Sequence, residues 1–100
     1  MTSDGASVYV LKCADGSYYT GSTRRVVDER VAEHSAGLGG DYTRRRLPVV
    51  LIHAEHFQHI TDAIAFERQF KGWSRIKKEA FLSGEFDALK TRASRRGDKG

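Results

Sequence analysis

"SVYVLKCADGSYYTGS", residues 7–22, decides the fold, because it reads as a β-hairpin at the start of a short chain. Residues 7–13 alternate weakly and are rich in Val, Tyr and Leu, as a strand should be. "ADG" at 14–16 is a turn signal, and 17–22 supplies the second strand. Two loops fit. If Asp15-Gly16 alone form it, Ala14 pairs with Ser17, Tyr9 faces Ser22 and Lys12 faces Tyr19. Opposed residues share a face and neighbours alternate, so Tyr9 and Tyr19 then lie on opposite faces. If Ala14-Asp15-Gly16 form a three-residue loop, Gly16 takes the left-handed bulge position. Cys13 then pairs with Ser17, Leu11 with Tyr19 and Tyr9 with Gly21, and the two tyrosines share a face. Asp-Gly suits both loops.

Downstream, "RRVVDERVAEHSAG" has valines at 27 and 31 and stops at Gly37, which predicts a helix of about three turns. "AGLGGDYTRRRLP" reads as a glycine-rich basic loop. "VVLIHAEHF", 49–57, is the most apolar strand and is expected at the centre of the sheet. "ITDAIAFERQFKGW" predicts an amphipathic helix with Thr61 or Asp62 near its N-cap and a break at Gly72. Ser74 can cap a further helix ending at Gly84, and "EFDAL" can add one turn. The order β-β-α-β-α-α predicts an α+β fold, a small three-stranded antiparallel sheet flanked by helices. Residues 1–6 read as a flexible N-terminus, 7–89 as one domain, and 90–100, with five basic residues and one acid, as a disordered basic tail.

Composition narrows the function. A 100-residue chain that is 39% hydrophobic supports one modest core. Its net charge of +4 suits a polyanionic partner such as nucleic acid. The single Cys13 cannot form an internal disulfide, which points to a reducing compartment. No apolar run approaches the ~20 residues of a membrane span. "MTSDGAS" has neither the basic nor the apolar part of a secretion signal, so a cytoplasmic protein is expected.

Several polar residues interrupt the apolar pattern. Arg30 and His34, four apart, border the stripe of Val27 and Val31. The plainer reading is a core histidine with a satisfied hydrogen bond and an arginine lying over the surface. Glu67 falls inside the arc of Ile60, Ala63, Ile64 and Phe70. A buried carboxylate needs a cation, a metal ion or hydrogen bonds. Lys71, one turn later, can pair with it; the alternative is Mg²⁺, which takes only one or two protein carboxylates and keeps several waters. Tyr42, Arg44, Arg45 and Arg46 form an aromatic and arginine cluster that can grip phosphates and stack on bases, or serve as a solvated face. His53, His56 and His59 read as strand and loop histidines, since steps of three alternate sides of a strand.

Taken in order, Tyr9, Tyr19-Thr20-Gly21, Arg30, His34 and Glu67 resemble the GIY-YIG nuclease family, in particular its small single-domain bacterial branch, related to the N-terminal nuclease domain of excision-repair proteins. The resemblance spans about residues 7–83, through "VYVLKCADGSYYTGST", "RVAEH", "YTRRRLPV" and "DAIAFERQFKGWSR". The first motif stands here as Ser7-Val8-Tyr9, without the family's glycine, and the second as Tyr19-Thr20-Gly21. It implies a three-stranded antiparallel sheet with both tyrosines on the active-site face, which favours the three-residue loop.

The implied function is metal-dependent hydrolysis of DNA phosphodiesters, on repair or recombination intermediates. Tyr9 would be the general base or would position the attacking water, with His34 assisting proton transfer. Tyr19 would orient water or phosphate, Arg30 would stabilise charge on the phosphate, and Glu67 would hold Mg²⁺ or Mn²⁺. Gly21 would allow close backbone approach, and Tyr42, Arg44, Arg45, Arg46 and Lys71 would contact nucleic acid. A free tyrosine, with a pKa near 10, needs a neighbouring cation or metal to lower it. Many family members carry an asparagine after the metal-binding Glu, and this chain contains none. The alternative is a nucleic-acid-binding module of the same fold with little catalysis. DNA is the expected partner; basic charge alone does not separate it from RNA. Sequence specificity would fall to the basic loop, the tail or a protein partner.

Overall fold

The computed structural model describes residues 5–84. "EFDAL" and the basic tail, and with them the end of the domain read as 7–89, lie outside the described residues.

The hairpin comes first. Strands β1 (Ala6–Lys12) and β2 (Tyr18–Thr23) pair antiparallel with Tyr9 opposite Gly21 and Leu11 opposite Tyr19. This is the register of the three-residue loop. The Cys13 and Gly16 amides donate to the Ser17 and Cys13 carbonyls, and Gly16 sits at φ 86°, where only glycine is unstrained. Asp15 reinforces the turn by accepting from the Ser17 amide and hydroxyl.

Strand β3 (Val50–Phe57) pairs antiparallel with the other side of β1, giving the order β2-β1-β3. The most apolar strand is therefore an edge, and the expectation that it is central is corrected. β1 holds the centre because both its faces are covered. Its alternation sends Tyr9, Leu11 and, past its end, Cys13 to one face and Ala6 and Val8 to the other. β3 leaves Val50 at 59% exposure, and a shift in its pairing lies between the partners of Val10 and Leu11.

Helix α1 (Val27–Ser35) lays Val27 and Val31 on the Tyr9 face. The segment read as a basic loop contains a one-turn helix, α2 (Asp41–Arg44), packed against α1. Helix α3 (Ile60–Gly72) covers the opposite face through Ile60, Ala63 and Phe66. Its N-cap is His59, with no side-chain cap, instead of Thr61 or Asp62. The buried arc is also rotated from the expected one: Phe66 and Phe70 pack inward, while Ile64 is exposed. Helix α4 (Arg75–Leu82) is capped by Ser74, whose hydroxyl accepts from the Lys77 amide at 3.2 Å. It brings Phe81 against Phe66, Phe70 and Trp73.

Candidate active site

The hairpin register and α1 together build the site. Tyr9, 1% exposed, reaches from the central strand to His34, which is fully buried in the last turn of α1. Its hydroxyl lies 3.0 Å from His34 Nε2. The other imidazole nitrogen, Nδ1, is 2.8 Å from the hydroxyl of buried Thr43 on α2. Tyr19 completes the group, its ring centre 6.4 Å from that of Tyr9 and 5.1 Å from that of His34.

Two glycines make room for these rings. A Cβ on Gly21 would fall 2.6 Å from the Tyr9 hydroxyl oxygen. On Gly39 it would fall 2.0 Å from His34 Nδ1. Backbone thus passes over both rings at distances no other residue allows.

Arg30 stands one turn before His34 and interacts with the Tyr9 hydroxyl. Its guanidinium is held by Glu33 at 2.8 Å, and the same carboxylate also takes Arg25 at 2.6 Å. These two arginines hold the Glu33 carboxyl below its ordinary range. Burial raises the Tyr9 pKa above 10.0, Arg30 opposes the rise, and the charges of Tyr19 and Glu67 add to it. The expected lowering by a cation is therefore present but is outweighed by desolvation. Burial, then Arg30, lowers the pKa of His34, so this imidazole is neutral at pH 7.

Glu67 on α3 is 17% exposed and pairs with Lys71 at 2.8 Å. Both readings of Glu67 therefore have an observation: the ion pair is made, and the carboxylate lies within electrostatic reach of the Tyr9 phenol. Among the described residues no group of three His, Cys, Asp or Glu side chains is placed to hold a metal ion. An ion at Glu67 would be completed by water and by a substrate phosphate, a pattern that suits Mg²⁺.

The basic cluster is more tied down than its sequence implies. Arg46 lies 3.8 Å over the Tyr42 ring, bonds the Tyr42 carbonyl and pairs with Asp15 at 3.0 Å. Tyr42 in turn meets Tyr19 at 5.9 Å. Arg44 pairs with Asp41. Arg45 is exposed. His53 pairs with Val10 and His56 with Ser7, which places the two imidazoles on opposite faces of the sheet.

Gly21, Arg30 and His34 meet at the Tyr9 hydroxyl, with the Tyr19 ring beside them. Residues 5–80 match the pattern of the GIY-YIG catalytic domain. The chain belongs to the GIY-YIG family. Within that family it is similar to UPF0213 proteins: 50% identical over 78 residues to one from Natronomonas pharaonis, covering 78% of this chain and 91% of that protein. One from Streptococcus pneumoniae is 48% identical over 82 residues, 82% of each chain. The solution structure of a UPF0213 protein from Bacillus halodurans aligns with a TM-score of 0.53 at 42% identity, over 79% of this chain and 83% of that one. A second solution structure, of a protein from E. faecalis, aligns with a TM-score of 0.56 at 38% identity, over 85% of this chain and 92% of that one. Three residues of this GIY-YIG site escaped sequence reasoning: Glu33, Gly39 and Thr43. Glu33 was legible as a carboxylate beside His34, whereas Gly39 and Thr43 act through loop contacts that no periodicity encodes.

Proposed function

We propose that the protein is a divalent-metal-dependent endonuclease that hydrolyses DNA phosphodiester bonds, with repair or recombination intermediates as its substrates. One observation carries this reading: a buried phenol bonded to a neutral imidazole at 3.0 Å, with a guanidinium beside the same oxygen. A tyrosine held in a sheet for packing alone needs a hydrogen-bond acceptor such as this imidazole, but not a guanidinium at the same oxygen.

Tyr9 passes its proton to His34 Nε2, and Arg30 stabilises the phenolate that results. The phenolate takes a proton from the attacking water as the water oxygen bonds to phosphorus. The bond from phosphorus to the departing sugar oxygen breaks, and that oxygen takes up, through solvent water, the proton that Tyr9 removed from the attacking water; Tyr9 then regains its own from His34 Nε2. Arg30 also faces the charge that builds on the phosphate, and Tyr19 orients it. Glu67 would hold Mg²⁺ or Mn²⁺, which supplies polarisation of the phosphoryl oxygen and charge neutralisation at the leaving oxygen. Lys71, 54% exposed at its side chain, is free to swing from Glu67 to a backbone phosphate. Arg45, with Arg44 and Arg46 nearby, adds sequence-independent affinity.

A second reading, a binding module with little catalysis, is favoured by the Glu67–Lys71 pair, in which an internal cation already satisfies the carboxylate. Single-stranded, duplex and branched DNA, incubated with Mg²⁺ or with EDTA, separate the two. Cleavage that needs the metal and disappears in Glu67→Ala, by about 10²-fold or more, supports the nuclease. Salt-sensitive binding without cleavage of any substrate establishes the binding module.

A further inference from the structure

Thr43 lies in the "YTRRRLPV" stretch with no catalytic role assigned to it, yet its environment is as constrained as that of the tyrosines. It is buried in the one turn of α2, and its hydroxyl lies 2.8 Å from His34 Nδ1. The direction of the two bonds to His34 follows from who can accept. The buried Tyr9 hydroxyl carries a proton that needs an acceptor. Arg30 can only donate. Among the described residues, the remaining hydrogen-bond partner of that hydroxyl is His34 Nε2. Nε2 therefore presents a lone pair, and Nδ1 of the neutral ring must carry the proton. The Thr43 oxygen is then the acceptor at Nδ1.

We infer that Thr43 is a positioning residue, which holds His34 in the Nδ1–H tautomer and so keeps Nε2 ready to take the proton of Tyr9. The inference deepens the nuclease reading and rests on it for its catalytic consequence. Gly39 completes the device. Its backbone covers the imidazole so closely that no Cβ fits, and His34 has no exposed surface. A proton taken up at Nε2 has no contact with bulk water, and it leaves by the way it came, through Tyr9. His34 thus stores a proton during the attack and returns it once Tyr9 has released the proton taken from the attacking water. With Thr43 gone, a buried Nδ1–H would be unpaired; the ring then favours its Nε2–H form, which donates to Tyr9 and cannot receive from it.

Long-range ¹H–¹⁵N correlation spectra of the full chain, labelled at histidine, read the tautomer without any reference to cleavage. The wild type is expected to show Nδ1 protonated and Nε2 unprotonated at His34. Thr43→Val should move the proton to Nε2, and Thr43→Ser should keep it on Nδ1. Under the nuclease assay, Thr43→Val should lose kcat on the order of 10²-fold with KM within about twofold, and Thr43→Ser should restore it. Nε2 protonated in the wild type overturns the inference. So does Thr43→Val with its tautomer and kcat unchanged. Should Thr43→Val fail to fold by circular dichroism, the wild-type and Thr43→Ser spectra decide. An Nδ1–H wild type that cleaves no DNA leaves the tautomer assignment standing, removes its catalytic role and counts against the nuclease reading alone.

Discussion

Gly21 and His34 show how single residues decide whether the site exists. A Cβ at Gly21 meets the Tyr9 oxygen at 2.6 Å and the ring carbon bearing it at 2.8 Å, and Tyr9 is too buried to retreat. Gly21→Ala should therefore cost about 1–3 kcal/mol in urea unfolding and part Tyr9 from His34. His34 makes a prediction about pH. Its folded pKa lies below the unfolded value of 6.5, so the unfolded chain binds a proton first as pH falls. Stability then drops below pH 6.5, by up to about 1.4 kcal/mol per pH unit, and is independent of this group above it. His34→Gln should flatten the stability profile between pH 6.5 and 5. An unchanged slope would show that His34 is not the group responsible.

Elements place these residues through their caps, turns and registers. The Gly16 bulge sets the hairpin register, and that register alone puts Tyr9 and Tyr19 on one face. A slip of one residue would send one of them to the side of α3. Helix α4 depends on a smaller device, the Ser74 cap on the Lys77 amide. Ser74→Ala should cost about 1 kcal/mol and lower Tm by roughly 4–8 °C. It acts by loosening the helix that holds Phe81 against Phe66, Phe70 and Trp73. Because α4 lies away from the Tyr9–His34 pair, cleavage by the folded fraction should be unaffected. A matching fall in kcat would tie α4 to the site more closely than its contacts do.

At the scale of the whole molecule, charge and layering cooperate. The sheet separates two cores, one built with α1 around Tyr9 and Leu11, the other with α3 around Val8 and Ala63. The chain carries a net charge of +4 and an alkaline pI near 9.5. No helix among the described residues is long and apolar enough to cross a membrane. Binding to duplex DNA should weaken with salt, with a log–log slope of about −2 to −4 if roughly two to four phosphates are neutralised. Arg45→Ala should reduce that slope by about one, whereas Arg46→Ala should act mainly on stability, since Arg46 already serves Tyr42 and Asp15. Titrating salt against binding for both variants distinguishes a phosphate contact from an internal strut.

The sequence by itself determined the three strands, the helices α1, α3 and α4, and the family. Strand alternation, the Asp-Gly turn, valine spacing on α1 and the Ser74 cap are local signals. Tyr9, Tyr19, Arg30, His34 and Glu67 stand out because polar groups on apolar stripes need partners. Tertiary structure decided what those partners are. Asp-Gly fits two loops, and the observed one emerges when whole faces of the sheet pack. β3 is rich in apolar residues yet lies at the edge, because centrality depends on which strand has both faces covered. Thr43 on α2 lies nine positions after His34 on α1, and no local pattern records such a contact. The direction of the Tyr9 pKa was likewise out of reach, since it depends on how far burial outweighs Arg30. Local chemistry is written along the chain, whereas desolvation and tautomers belong to atoms that meet only after folding.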